Sequence, residues 1–407
     1  MYFQLAWRNI WRNPRRTAVI MIAVIIGVWS MIFLGALMRG MEYDMIKNGI
    51  STLTGNIQIH QKDYRDDPVI ENSMPNPLKL EIALKKVLPP DAHWAARIRL
   101  NAIASNARHS SSITFVGIDP EQEAKVSFIG DAINNGRYLK PEDMRGIIVG
   151  QALLDKFETK LGHKLVLMSQ DTDQEVASRS FRIIGTFKAQ LQSTEKQFAF
   201  VTLTAARQML KLKKGISEIS IILPDDADTN HVVSGLKVEL SADSYQIHTW
   251  QELLPILNAY LKIFDGFIFI WFIVVFIAMG FGIINTTLMA VFERMREFGL
   301  LKALGMKPWW IIKDVLLESF LILIIGTVIG NLLAFLCVFA LSQSGLDLSA
   351  FAEGAEFAGI SRMIYPAVWI KDVIISNLVV IILGLLVSLY PAAKAAKFTP
   401  VEALAQT

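Results

Sequence analysis

Four stretches of the chain, residues 17–38, 266–292, 319–345 and 373–393, carry no acidic or basic side chain. Each is long enough for a helix to cross a hydrocarbon core of ~30 Å, which takes about 20 apolar residues. In lipid a helix satisfies its own backbone hydrogen bonds, and only a closed barrel does the same by other means. One soluble core does not absorb four such helices, so the pattern predicts an α-helical membrane protein with four transmembrane helices. The composition agrees, with 53% apolar and 19% charged residues. A formal net charge of only +3 argues against a nucleic-acid partner. The one cysteine, Cys337, lies inside the third run, so no internal disulfide forms.

Lysine and arginine placement sets the orientation. Arg8, Arg12, Arg15 and Arg16 precede the first run; Arg294, Arg296, Lys302, Lys307 and Lys313 lie between the second and third; Lys394 and Lys397 follow the fourth. The connection 343–372 has only Arg362 and Lys371 against Asp347, Glu353, Glu356 and Asp372. The positive-inside rule then puts both termini and the second connection on the cytoplasmic side. The expected layout is a cytoplasmic interfacial helix 1–16, spans 17–39, 264–292, 308–345 and 372–393, and a cytoplasmic tail 394–407. An extracytoplasmic domain takes 40–263, a cytoplasmic helix 293–307, and an outer loop 346–371. Trp309, Trp310 and Trp369 fall at the borders, where amphipathic rings collect. The first run also suits a signal peptide, but it exceeds an apolar region of about 7–15 residues and lacks a clear A-x-A site, so an uncleaved anchor is expected. In the first helix Phe3, Trp7, Ile10 and Trp11 line one face, while Gln4, Arg8 and Arg12 take others. That arrangement fits a helix lying in the interface or an ordinary flanking segment.

Residues 40–263 alternate short β-type runs with helical ones, an α+β pattern. Strands are expected around 56–60, 113–117, 146–150, 164–168, 181–187, 197–201 and 219–223, and helices at 78–87, 151–157, 203–212 and 230–240. The turn-rich segment 66–77 reads as an exposed loop, and Asp225 and Asp226 as a solvated helix start. His60, His93, His109, His163, His231 and His248 all fall here without metal-ligand spacing, so each is expected as a scattered surface side chain and no metal site is expected. From Trp250 an apolar period through Leu253, Leu257, Tyr260, Leu261 and Phe264 leads into the second span without a break signal, with Pro255 tolerated near its first turn.

Between the second and third spans lies "ERMREFGLLKALGMKPWW" (residues 293–310). Glu293 and Glu297 stand four apart, Phe298 and Leu301 three apart, and one face is charged while the other is apolar. Gly305 is placed to stop the helix in a left-handed conformation and Pro308 to start the next. The unit is either a solvated connection or a docking element. In the third span Gly326 and Gly330 form a G-x-x-x-G pair that suits close helix packing, within the chain or between subunits. Glu318, at the inner end of that span, calls for a cationic partner such as Lys302 or Lys313; a structural pair is favoured over a proton relay. No Walker A loop occurs, so the chain is not expected to be an enzyme or to bind a cofactor itself.

The stretch "NTTLMAVFERMREFGLLKALGMKPWWIIKDVLLESF" (285–320) closely resembles the corresponding region of type VII ABC transporter permeases, the FtsX-like family. That family includes the lipoprotein-releasing system, the macrolide exporter and the cell-division permease. "LAWRNIWRNPRRT" (5–17) and "YPAAKAAKFTPVEAL" (390–404) resemble its two ends. The resemblance implies that Glu293, Arg294, Arg296, Glu297, Gly299, Lys302 and Gly305 belong to a coupling helix docking on an ATPase. Phe298 stands where the family usually has isoleucine. The resemblance also implies a porter-like outer domain with a sabre-like insertion around 118–205. As partners it implies a cytoplasmic ABC ATPase dimer that uses ATP and magnesium, a second permease copy (identical or paralogous) and membrane lipids. Size and the lack of a fused ATPase look most similar to lipoprotein-releasing permeases, with lipoprotein or other amphiphilic cargo meeting Met31, Leu34, Met38, Phe264, Phe267 and Ile268. The alternatives are a drug or peptide exporter working with a periplasmic adaptor, and a non-transporting regulator of a cell-wall hydrolase.

Overall fold

The computed structural model describes residues 2–189, 191–224, 228–347 and 363–399. Asp225 and Asp226, the loop residues 348–362 with Arg362, the tail from 400 on, and the side chain of Phe3 lie outside the described residues. The chain divides into a helical unit (residues 1–43, 260–349 and 363–407) and a sheet unit (44–259 and 350–362).

In the helical unit the four long helices are Pro14–Gly49, Pro255–Glu293, Pro308–Ser344 and Ile370–Lys397, each longer than its uncharged run. Their shared core includes Val24, Val28, Met31, Ile268, Met279, Leu323 and Val380. Gly326 and Gly330 face the first span closely: a Cβ built on them would lie 2.7 Å from Val24 Cγ1 and 2.8 Å from Val28 Cβ. The G-x-x-x-G pair is therefore an intrachain seam. Asn331 and Asn377 exchange amide hydrogen bonds at 3.1 and 3.3 Å between the third and fourth spans, satisfying both polar groups away from water. At the outer end Arg39 meets Glu42 (2.7 Å), Asp265 (2.8 Å) and Asp372 (2.8 Å), and lies over the ring of Trp369. One guanidinium thus ties the first, second and fourth spans.

The first helix, Tyr2–Arg12, corrects the expected grouping of its apolar residues. Ile10 and Ala6 are fully buried in the bundle core, whereas Trp7 and Trp11 are exposed and meet edge to face. At about 100° per residue Trp7, Ile10 and Trp11 spread over an arc of about 100°, and the bundle takes only the edge that carries Ile10. The second span also starts differently from its expectation. A short helix, Trp250–Leu253, ends at Leu254 (φ −119°, ψ 63°), and Pro255 opens the long helix. The break follows from proline, which disfavours helical backbone in the residue before it.

The sheet unit is built on strands β1 (Ile57–Gln61), β2 (His93–Ser105), β3 (Ser110–Ile118), β4 (Ile133–Gly136), β5 (Gly146–Gly150), β6 (Lys164–Gln170), β7 (Val176–Phe187), β8 (Phe198–Thr202), β9 (Glu218–Ile222) and β10 (Tyr245–Thr249). They form one sheet in the order β10-β1-β9-β2-β3-β8-β5-β7-β4, with β6 pairing β2 and β7. Most neighbours are antiparallel; β3–β8 and β5–β7 are parallel. Residues 118–205 therefore belong to the same sheet as their flanks. Helices Leu78–Val87 and Thr229–Glu239 cover a core around Ile57, Ile59, Leu80 and Leu236. A second core gathers Phe115, Phe157 and Phe181. The expected exposed loop 66–77 is pinned instead: Ile70 and Met74 are buried, and Met74 pairs with Ile216 through two backbone hydrogen bonds.

This unit also has a polar interior. Arg97 grips Glu123 through two hydrogen bonds of 2.8 and 2.7 Å, with both side chains fully buried. Arg97 and Gln58 both donate to the carbonyl of Leu53, a residue held at φ +68° just after the first span. Leu is strained in that region, and two donors on its carbonyl offset the strain. His60 corrects the surface expectation for the histidines, being only 3% exposed. It stacks on Tyr64 and sits beside His248.

Candidate coupling site

The second span ends at Glu293, Arg294 leaves helical geometry (φ −98°, ψ 6°), and a new helix runs Met295–Ala303. Its far end closes as expected. Gly305 takes φ +93°, its N–H bonds Lys302 O (3.0 Å), and Met306 N–H bonds Leu301 O (3.0 Å). This pair of bonds satisfies the last carbonyls in a Schellman motif, which needs a residue without Cβ strain at that position. Pro308 then opens the third span.

The inner face of this elbow helix is fixed. Met295, Phe298 and Gly299 are buried, and Phe298 packs with Val291, Ile311, Val315, Ala392 and Ala395 from the ends of three spans. Lys302 Nζ donates to the carbonyls of Ala396 (2.7 Å) and Phe398 (2.5 Å), where the last span leaves carbonyls without helical partners. A cation there also meets the negative end of the helix dipole.

Around this face runs a chain of ion pairs. Arg294 donates to Glu318 (2.8 Å) and Asp314 (3.1 Å), lies 3.4 Å from Glu297 and stacks over Phe298. Arg16 reaches Glu293 (3.0 Å) and Glu318 (3.5 Å). Asn13 donates to Glu293 at 2.8 Å, and Arg12 pairs with Glu297 at 2.5 Å. Two expectations change. Glu318 is satisfied by Arg294 and Arg16 rather than by Lys302 or Lys313, because Lys302 turns to the last span and Lys313 lies over Trp309 and Trp310. Arg294 is directed inward, as an internal hub with little surface of its own.

What faces outward is a row four residues apart: Arg296, Leu300 (55% exposed) and Leu304 (78% exposed), with Leu301 and Gly305 beside it. Spacing of four places them on one side of a helix. Exposed leucines grouped on one side of a helix form an apolar patch of the kind found at protein or membrane contacts. The sequence expectation named Arg296 but not Leu300 or Leu304, although their spacing was there to read. Of the apolar candidates in the bilayer, Met31 and Ile268 are buried in the bundle core, which removes them from any exposed surface. Leu34, Met38 and Phe264 are half-buried and Phe267 is exposed.

Comparison with known proteins gives the family. Residues 17–237 match the family described as the MacB-like periplasmic core domain, and residues 260–400 match the FtsX-like permease C-terminal region. The lipoprotein-releasing system transmembrane protein LolC of Xylella fastidiosa is 25% identical over 339 residues, covering 79% of this chain and 80% of that protein. The macrolide export ATP-binding/permease protein MacB of Campylobacter jejuni is 22% identical over 430 residues, 99% of this chain and 61% of that protein. The solved periplasmic region of MacB from Actinobacillus actinomycetemcomitans aligns with 53% of this chain and 97% of that one, at 13% identity and a TM-score of 0.36. With one family match alone spanning more than half of its residues, the chain belongs to the FtsX-like, type VII family of ABC transporter permeases: a multi-pass membrane protein with a large periplasmic domain of mixed α and β structure.

Proposed function

We propose that this permease works with a separate cytoplasmic ABC ATPase, which supplies ATP and magnesium chemistry, and that it moves a lipoprotein or similar amphiphilic cargo out of the inner membrane. The observation that carries the reading is the outward row of Arg296, Leu300 and Leu304 on a helix whose opposite face is locked to the ends of three spans. A force applied to that row reaches the spans without first bending a loose loop. Both termini and the elbow lie in the cytoplasm on this reading, as the basic residues suggest, and two permease copies flank the cargo path. Of the six candidates, Phe267 is the one exposed on the second span and so open to an acyl chain.

The test replaces Leu300 and Leu304 by glutamate. Membrane insertion should be unchanged, while copurification of the ATPase and cargo release both drop by about tenfold or more, as for loss of central apolar contacts. Normal release by the double variant would reject the docking reading. The similarity to a macrolide exporter across nearly the whole chain favours a second cargo, a drug or peptide. Copurification of a periplasmic adaptor in place of lipoprotein would select it.

A further inference from the structure

The sheet unit contains a cavity of about 330 Å³ lined from β1, β2 and β9 and by Leu253 and Leu254. That volume lies at the small end of ligand sites, roughly 300–1,000 Å³. Its lining divides by chemistry. Pro68, Leu100, Leu253 and Leu254 give an apolar wall, and the rest is polar and basic.

On the polar side, His60 is 3% exposed and its Nδ1 has no hydrogen-bond partner among the described residues. Its Nε2 faces Glu218 at 3.6 Å. At that distance no hydrogen bond fixes the ring, and Nδ1 is left with unused hydrogen-bonding capacity. A buried polar atom left in that state is costly, so a ligand group bonded to Nδ1 would be stabilising. Arg99 lines the same cavity about one third exposed, and it reaches Glu218 only at 3.9 Å, too far for a hydrogen bond. Arg65 lines it as well and is exposed. Two arginines (Arg65, Arg99) and one carboxylate (Glu218) line the cavity, while Arg97, outside the lining, is committed to Glu123 by two hydrogen bonds. The cavity therefore keeps a positive surplus with guanidinium N–H groups to spare, the geometry that forks an oxyanion.

We propose that this cavity binds a small amphiphilic ligand whose head joins an oxyanion to a neighbouring hydroxyl, as in a glycerol phosphate. Arg65 and Arg99 take the oxyanion, His60 Nδ1 bonds the hydroxyl, which can donate or accept, and a short apolar body rests on Leu253 and Leu254. Leu254 is the non-helical joint before the second span, so occupancy stiffens that joint. The inference concerns this chain alone and does not depend on which cargo it moves.

The head chemistry has two sources, a soluble metabolite or a phosphatidylglycerol-type lipid. The experiment titrates the full-length chain in detergent with glycerol 3-phosphate and, separately, with dihexanoyl phosphatidylglycerol below its micellar concentration, following binding by calorimetry. Saturable binding of either supports the site, and the tighter of the two identifies the source. Arg65→Gln, a change at an exposed side chain that leaves the core untouched, and Arg99→Gln should each weaken binding by about tenfold. His60→Phe should abolish the preference for glycerol 3-phosphate over inorganic phosphate. Absence of saturable binding by both probes, or an unchanged affinity in both arginine variants, overturns the proposal.

Discussion

Glu218 is the carboxylate on which the polar interior of the periplasmic domain turns. Burial by itself pushes its carboxyl up, but Arg99, His60 and Arg97 together outweigh burial and hold it down at about 2. A folded value below the unfolded one, about 4.3, means that the stabilisation is fully present above the unfolded value and is lost as pH falls from there toward 2. Denaturant unfolding of the full-length chain should therefore show the domain losing on the order of 3 kcal/mol across that window, and Glu218→Gln should flatten that part of the profile. None of this was legible in the sequence. His60, Arg97, Glu123 and Glu218 lie far apart along the chain, and local spacing carries no record of which strands become neighbours. Gly305 was legible for the opposite reason: a helix stop is a local event with a strong residue preference, and φ +93° is where the sequence expectation put it. Arg294 shows the limit of the same approach, since a charge pattern reports that a residue is polar and not whether its partners lie inward.

At the scale of elements, the long helices were readable because uncharged runs of that length have few other outcomes, and Leu78–Val87 because its apolar period is unbroken. Strand β2, the longest in the sheet, was not. Its residues, His93–Ser105, include four alanines and two arginines, with only Trp94, Ile98 and Ile103 of the β-branched and aromatic kinds that advertise a strand. It is extended because β3, β9 and β6 all pair with it. The seam between the first and third spans makes a sharp prediction. Gly330→Leu drives a side chain into Val28 and the carbonyl of Ile25, and it should lower stability by about 1–3 kcal/mol or more. Gly35→Ala, where the added Cβ meets nothing within 4 Å, is the control and should be near neutral. Thermal unfolding in detergent separates the two; equal effects would show that the seam is not packed as described.

For the molecule as a whole, two kinds of solvent shape two units. The helical unit is fixed by backbone satisfaction in lipid, and the sheet unit by a continuous ladder in water that includes the 118–205 insertion. Because β3 and β8 pair in parallel across that insertion's boundary, amides of β2, β3, β8 and β9 should share one opening free energy in hydrogen exchange of the intact protein. A separate, faster-exchanging block over 118–205 would contradict that. In the bilayer, the two helices joined at Gly326 and Gly330 meet where no side chain can act as a cushion. Such a pair is expected to turn as one beam.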